Sequence, residues 1–156
     1  MRSTGRSVEV IALPVDMPPP TPTTLAAPME KLFAERETVQ AEEFHVPSAG
    51  KSIQGWMLKP PRFDESRKYP LLLDIADDPR RMFGPGISLG AQIFAAAGWV
   101  VLQVNPRGTP GYGEEFGRLL STRYPGDDAD DLLAAVDFIA ARSWLDQKRI
   151  AVSVGC

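Results

Sequence analysis

Few residues in this chain of 156 could do chemistry, and the foremost is its single cysteine. Cys156 closes the segment Arg149-Ile-Ala-Val-Ser-Val-Gly-Cys156, an apolar strand-like run that passes into a small-residue turn. A nucleophile at the tip of such a strand-to-helix elbow is held clear of the backbone with its reactive atom exposed. A thiolate attacks a carbonyl carbon more readily than a hydroxyl does, but it needs a base or a lowered pKa to exist near neutral pH. His45 is the only histidine. It falls in an early strand, where a packed or edge role outweighs catalysis. Asp77 and Asp78 sit side by side after a buried run, yet two carboxylates fall short of the six to eight oxygens that calcium takes. One Cys and one His assemble no zinc site, so the expectation is no metal and no cofactor.

Two glycine-rich stretches resolve into turns. Gly84-Pro-Gly86-Ile-Ser-Leu-Gly90 is off by one from the dinucleotide fingerprint and follows no strand directly. Asn105-Pro-Arg-Gly108 with Gly111-Tyr-Gly113 reads as a tight strand-to-helix connection, not a phosphate cradle. Lys+Arg 17 against Asp+Glu 20 gives a net charge of −3 with no basic stripe, which argues against a nucleic-acid groove. The longest apolar run, Ile93 to Leu102, is about half the ~20 residues of a membrane span. No apolar signal core follows Arg2 and Arg6, so the expectation is no membrane and a cytoplasmic protein.

The elements that must position these residues follow from pattern. Prolines 14, 18, 19, 20, 22 and 28 make residues 1–28 a disordered, polyproline-like tail by expectation. Met29 to Val39 stays open between helix and extended chain. Glu43 to Pro47 and Ile53 to Leu58 read as strands around the turn Ser48-Ala-Gly50-Lys51. Leu71 to Ile75 and Trp99 to Val104 are apolar runs of the kind covered on both faces. Ser88 to Ala97 is a helix whose stripe is Leu89, Ile93, Phe94 and Ala97, stopped by Gly98. Glu114 to Thr122 is a short helix, and Asp127 to Arg142 a longer one with the stripe Leu132, Leu133, Val136, Ile139 and Ala140. Asp146 to Arg149 turns into a last strand, Ile150 to Val154. Alternation of this sort implies a layered α/β fold with parallel strands and right-handed crossovers.

Five of these segments, taken in order, resemble the prolyl oligopeptidase family of serine peptidases over roughly residues 41–156. They are Gly55-Trp-Met-Leu-Lys-Pro60, Tyr69-Pro-Leu-Leu-Leu-Asp74, Phe94-Ala-Ala-Ala-Gly-Trp-Val-Val101, Val104-Asn-Pro-Arg-Gly-Thr-Pro-Gly-Tyr-Gly113 and Asp146-Gln-Lys-Arg-Ile-Ala-Val152. The resemblance implies a partial α/β-hydrolase sheet, about its first five strands with flanking helices, in residues 41–156. Residues 29–40 are then a linker or the remnant of a preceding propeller. It also implies peptide substrates and cleavage through an acyl-enzyme, with a nucleophile, an Asp and a His in that chain order.

Three departures fall on the chemistry. The family's Gly-Gly-Ser elbow is replaced by Val154-Gly155-Cys156, and a carboxylate on the last residue would oppose thiolate formation by like-charge repulsion. The Asp and His of the triad have no counterpart in the sequence. The family's oxyanion loop of His or Tyr, glycines and proline is replaced by Ala76-Asp77-Asp78-Pro79, which has lost the side-chain donor and gained negative charge. The chain therefore reads as the front half of a hydrolase domain stopping at its nucleophile position, inactive alone. The alternatives are a thiol hydrolase completed by a second chain and a non-catalytic interaction module. An unpaired edge at the last strand would favour self-association.

Overall fold

The computed structural model describes residues 9–14, 21–78, 81–119 and 126–154. Eleven elements occur among them: β1 (Val10–Ala12), β2 (Thr23–Ala26), α1 (Glu30–Ala34), β3 (Ala41–Ser48), β4 (Lys51–Leu58), β5 (Tyr69–Ile75), α2 (Leu89–Ala96), β6 (Val100–Asn105), α3 (Glu114–Arg118), α4 (Asp127–Ala140) and β7 (Leu145–Val154). Strands β3 to β7 form one sheet in the order β3-β4-β6-β5-β7. β4 is antiparallel to β3 and β6, while β5 is parallel to β6 and β7. The alternating pattern thus gives parallel strands only from β5 onward, because a two-residue turn joins β3 to β4. In that turn Ala49 and Gly50 both take positive φ, +43° and +77°, the primed geometry that matches the twist of a hairpin.

β6 lies at the middle of the sheet, and all six of its residues are buried. The larger core lies on the α4 face, where Ala135 and Ile139 meet Leu71, Leu73, Leu102 and Met57. Phe44 crosses from β3 over Gly55, where any Cβ would meet the ring at 2.1 Å, and it stacks on Phe138 at 5.9 Å. On the other face α2 contributes Ala91 and Ala95 against Leu58 and Val101. Ser88 caps α2 by accepting from the Ala91 N–H, and Gly98 ends it at φ +92°.

Four expectations need correction. The proline-rich segment holds the antiparallel pair β1–β2, because its prolines fall between and after the strands and leave Val10–Ala12 and Thr23–Ala26 free to pair. The stripe expected of α2 is inverted: Leu89, Ile93, Phe94 and Ala97 face outward, and the small residues Ala91 and Ala95 turn to the sheet, where they pack with Leu58 and Val101. On α4, Leu133 is 60% exposed and Asp131 takes a fully buried place one turn before Ala135. β7 begins at Leu145, earlier than expected. Tyr69 pairs with Leu145 and Leu71 with Ile150, so the expected turn at residues 146–149 becomes an irregularity inside the strand. The open stretch after Met29 contains the short helix α1. Of the helix expected over Glu114 to Thr122, α3 covers Glu114–Arg118, and residues 120–122 lie outside the described ones.

Candidate active-site crevice

The loops leaving β5 and β6 turn to opposite faces of the sheet, one to α2 and the other to α4. Loops that diverge in this way open a crevice at the carboxyl ends of the strands, the place where open α/β sheets bind ligands. Here the crevice is a cavity of about 300 Å³. Ile75 to Asp78 form one wall, Pro106 to Thr109 another, and Leu132 and Val154 close it. Ile75 and Val154 are register partners, so β7 delivers residue 154 to the crevice directly beside the loop after β5.

Ala76 and Asp77 line that wall. Ala76 offers only its backbone. Asp77 is paired with Arg81, four residues on, at 3.3 Å, and the Asp78 carbonyl accepts from the Arg81 N–H at 2.9 Å. The charge of Asp77 is therefore met within the loop by Arg81. Gly155 and Cys156 lie outside the described residues. His45 sits on β3, at the opposite edge of the sheet from β7, paired with Gln54 and 3.8 Å from the Glu43 carboxylate. Four strand spacings separate those edges, roughly 19 Å. Among the described residues no group of three or more His, Cys, Asp or Glu is placed to hold a metal.

Two polar assemblies fix the far wall. Arg107 is buried and makes a two-pronged pair with Asp131, from Nε to Oδ2 at 2.8 Å and from Nη2 to Oδ1 at 2.6 Å. Its backbone N–H donates to the same carboxylate at 2.8 Å, and Nη2 also reaches the Ser48 carbonyl at 3.3 Å. The Asp131 hydrogen bond raises the Arg107 pKa above its ordinary value, so the guanidinium stays charged throughout. Planar forks of this type gain both strength and direction from matching a carboxylate. Together these bonds staple the loop after β6 to α4 and to the β3–β4 turn.

Asn105, also buried, holds the segment before α2. Its Oδ1 accepts from the Phe83 N–H, and its Nδ2 donates to the Phe83 carbonyl and to the Tyr112 hydroxyl, each at 2.8 Å. Tyr112 in turn donates to Gln54, and burial pushes its phenol above the ordinary value. Sequence reasoning reads both loops as glycine turns and misses these two anchors. One signal is present: Asp131 shares a helix face with Ala135 and Ile139, and a carboxylate on a buried face requires a buried cation.

The mixed sheet, its crossovers and its carboxyl-end crevice define an α/β-hydrolase architecture. The family model described as the prolyl oligopeptidase family matches residues 85–155. The uncharacterized peptidase YuxL of Bacillus subtilis (strain 168) is 37% identical over 107 residues, which are 68% of this chain and 16% of that protein. Dipeptidyl-peptidase 5 of Porphyromonas gingivalis is 30% identical over 103 residues, 65% of this chain and 15% of that protein. The acylaminoacyl peptidase of Pyrococcus horikoshii superposes with a TM-score of 0.77 at 26% identity, covering 85% of this chain and 22% of that one. This chain belongs to the prolyl oligopeptidase family. It spans about a sixth of the length of the curated relatives it matches.

Proposed function

We propose that these residues supply the front half of a peptide-bond-hydrolysing domain and that the 156-residue chain by itself turns over no peptide. The observation that supports this reading is the crevice: β5, β6 and β7 end around it, and the loop Ala76-Asp77-Asp78, which the family resemblance puts at the oxyanion position, lines it with two carboxylates. A developing oxyanion there would face the Asp77 and Asp78 carboxylates, with the Arg81 guanidinium already paired to Asp77 at 3.3 Å; an oxyanion donor lost in this way costs about 3–4 kcal/mol. The chain's one histidine is on the wrong edge of the sheet to act as base. With Cys156 at the nucleophile position, the peptide substrate and the acyl-enzyme route belong to the longer family members. A cytoplasmic setting goes with this reading, since one cysteine makes no internal disulfide.

A peptidyl electrophile and a fluorophosphonate probe test it on the purified chain. No labelling above a Cys156→Ala control is expected. Labelling that depends on Cys156 would overturn the reading in favour of a thiol hydrolase, and its appearance only with a second polypeptide would identify a completing chain.

A non-catalytic role through association has its own support. Among the described residues β7 is an edge strand, and Ile150, Val152 and Val154 form an apolar row on its α4 face, with Val152 60% exposed. Unpaired strand edges with apolar rows invite pairing with another chain. Concentration-dependent self-association, weakened by Val152→Lys in sedimentation velocity, is the expected result.

A further inference from the structure

At the other end of β5, about 20 Å from the crevice by strand rise, the chain forms a second and larger concavity. It is an open cleft of about 710 Å³ between the start of β5, the end of β4 and the last turn of α2. Its walls are Pro60, Pro61, Tyr69 and Trp99. Four cationic side chains reach it, Arg62, Arg67, Lys68 and Arg149, against the single carboxylate of Glu37. This is a concentration of positive charge in a chain whose net charge is −3. A concave surface lined by one sign of charge focuses its field and gathers counter-ions.

How far each cation is already neutralised decides what the cleft can do. Arg67 lies over the Tyr69 ring, 5.9 Å from its centroid. Asp64, three residues before Arg67, accepts from the Ser66 N–H at 2.9 Å and its hydroxyl at 2.8 Å and also attracts the Arg67 guanidinium. Those bonds hold Asp64 below the ordinary carboxylate range. Lys68 donates to two neutral carbonyls, Ser143 at 2.6 Å and Leu145 at 3.3 Å, and is also attracted by the Asp146 carboxylate, which it shares with Arg149. Arg149 gives only its Nε to Asp146, at 2.6 Å. Arg62 and Glu37 form an exposed pair at 3.4 Å, of the kind that contributes little.

We propose that this cleft binds a small multivalent oxyanion, a polyphosphate or a polycarboxylate, held by Arg67, Lys68 and Arg149. Two guanidinium forks and an ammonium suit such a ligand: the forks match paired oxygens, and the lysine supplies a point charge. Each cation is positioned by an aromatic face, by carbonyls or by one carboxylate before the anion arrives. Little side-chain ordering then remains to oppose binding. The site is independent of the peptidase reading, since it shares no residue with the crevice and lies at the opposite end of the strands.

The test is isothermal titration of the full 156-residue chain with pyrophosphate and, separately, with citrate, at low ionic strength. Saturable binding with a Kd of about 1 mM or tighter is expected. It should weaken roughly ten-fold or more in the Arg67→Gln, Arg149→Gln double variant and fall as salt is raised. Both positions are exposed, so circular dichroism of the double variant should match the parent. A response to pyrophosphate alone assigns a phosphate ligand, and a response to citrate alone assigns a carboxylate. No saturable heat with either anion, or equal affinity in the double variant, would overturn the proposal.

Discussion

The two helices that flank the sheet solve the same problem in opposite ways. α4 presents a mixed face to the sheet, burying Ala135 and Ile139 beside the Asp131 carboxylate, and that carboxylate secures the loop after β6. α2 buries only alanines and leaves Leu89, Ile93 and Phe94 in solvent, with no acidic residue in its first turn and no basic one in its last. The difference shows that apolar content does not decide which side of a helix is inside. What the facing strands offer decides it. Against Leu58 and Val101, α2 packs only Ala91 and Ala95; α4 packs Ala135 and Ile139 and also encloses a charged pair.

The largest effect on this contrast should come from Asp131→Ala, which strands the Arg107 charge in the interior. A loss of about 3–5 kcal/mol in denaturant unfolding is expected, and a loss below about 1 kcal/mol would show that the pair is not buried as described. Ala95→Leu comes next. Three added carbons at a position with no exposure should cost about 3 kcal/mol by the same measurement, and a neutral result would mean that α2 has room to rise. Gly55→Ala pushes the Phe44 ring off its seat against Phe138, and about 1–2 kcal/mol is expected, with a change in the near-ultraviolet signal. Ile93→Gln should be smallest, within about 0.5 kcal/mol, because the side chain is 60% exposed. A larger loss would reveal that something covers α2 in solution.

The same contrast explains how much of the fold and of the crevice is legible in the sequence. β5 and β6 are legible because unbroken apolar runs bounded by proline or glycine have few other homes in an α/β chain. The β3–β4 turn is legible from Ala49-Gly50 because its geometry is local. The α2 stripe misleads because periodicity marks apolar residues without saying which side is occupied, and Ala91 and Ala95 carry no strong signal. Asp131 reads only as part of an acidic helix start, a local effect, whereas its partner is 24 residues away. The crevice wall at Ala76 and Asp77 is legible from its place directly after an apolar strand. Its pairing with Arg81 is not, since an i to i+4 contact in a loop follows from no regular period.

The Arg107 guanidinium is met by Ser48, Asp127 and Asp131, which lie 59, 20 and 24 positions away along the chain. It cannot be enclosed until the hairpin turn, the glycine loop and the start of α4 have all converged. Such a knot is tied late in folding. Removing it should therefore hasten the opening of the native chain while leaving the refolding limb of a chevron close to that of the parent.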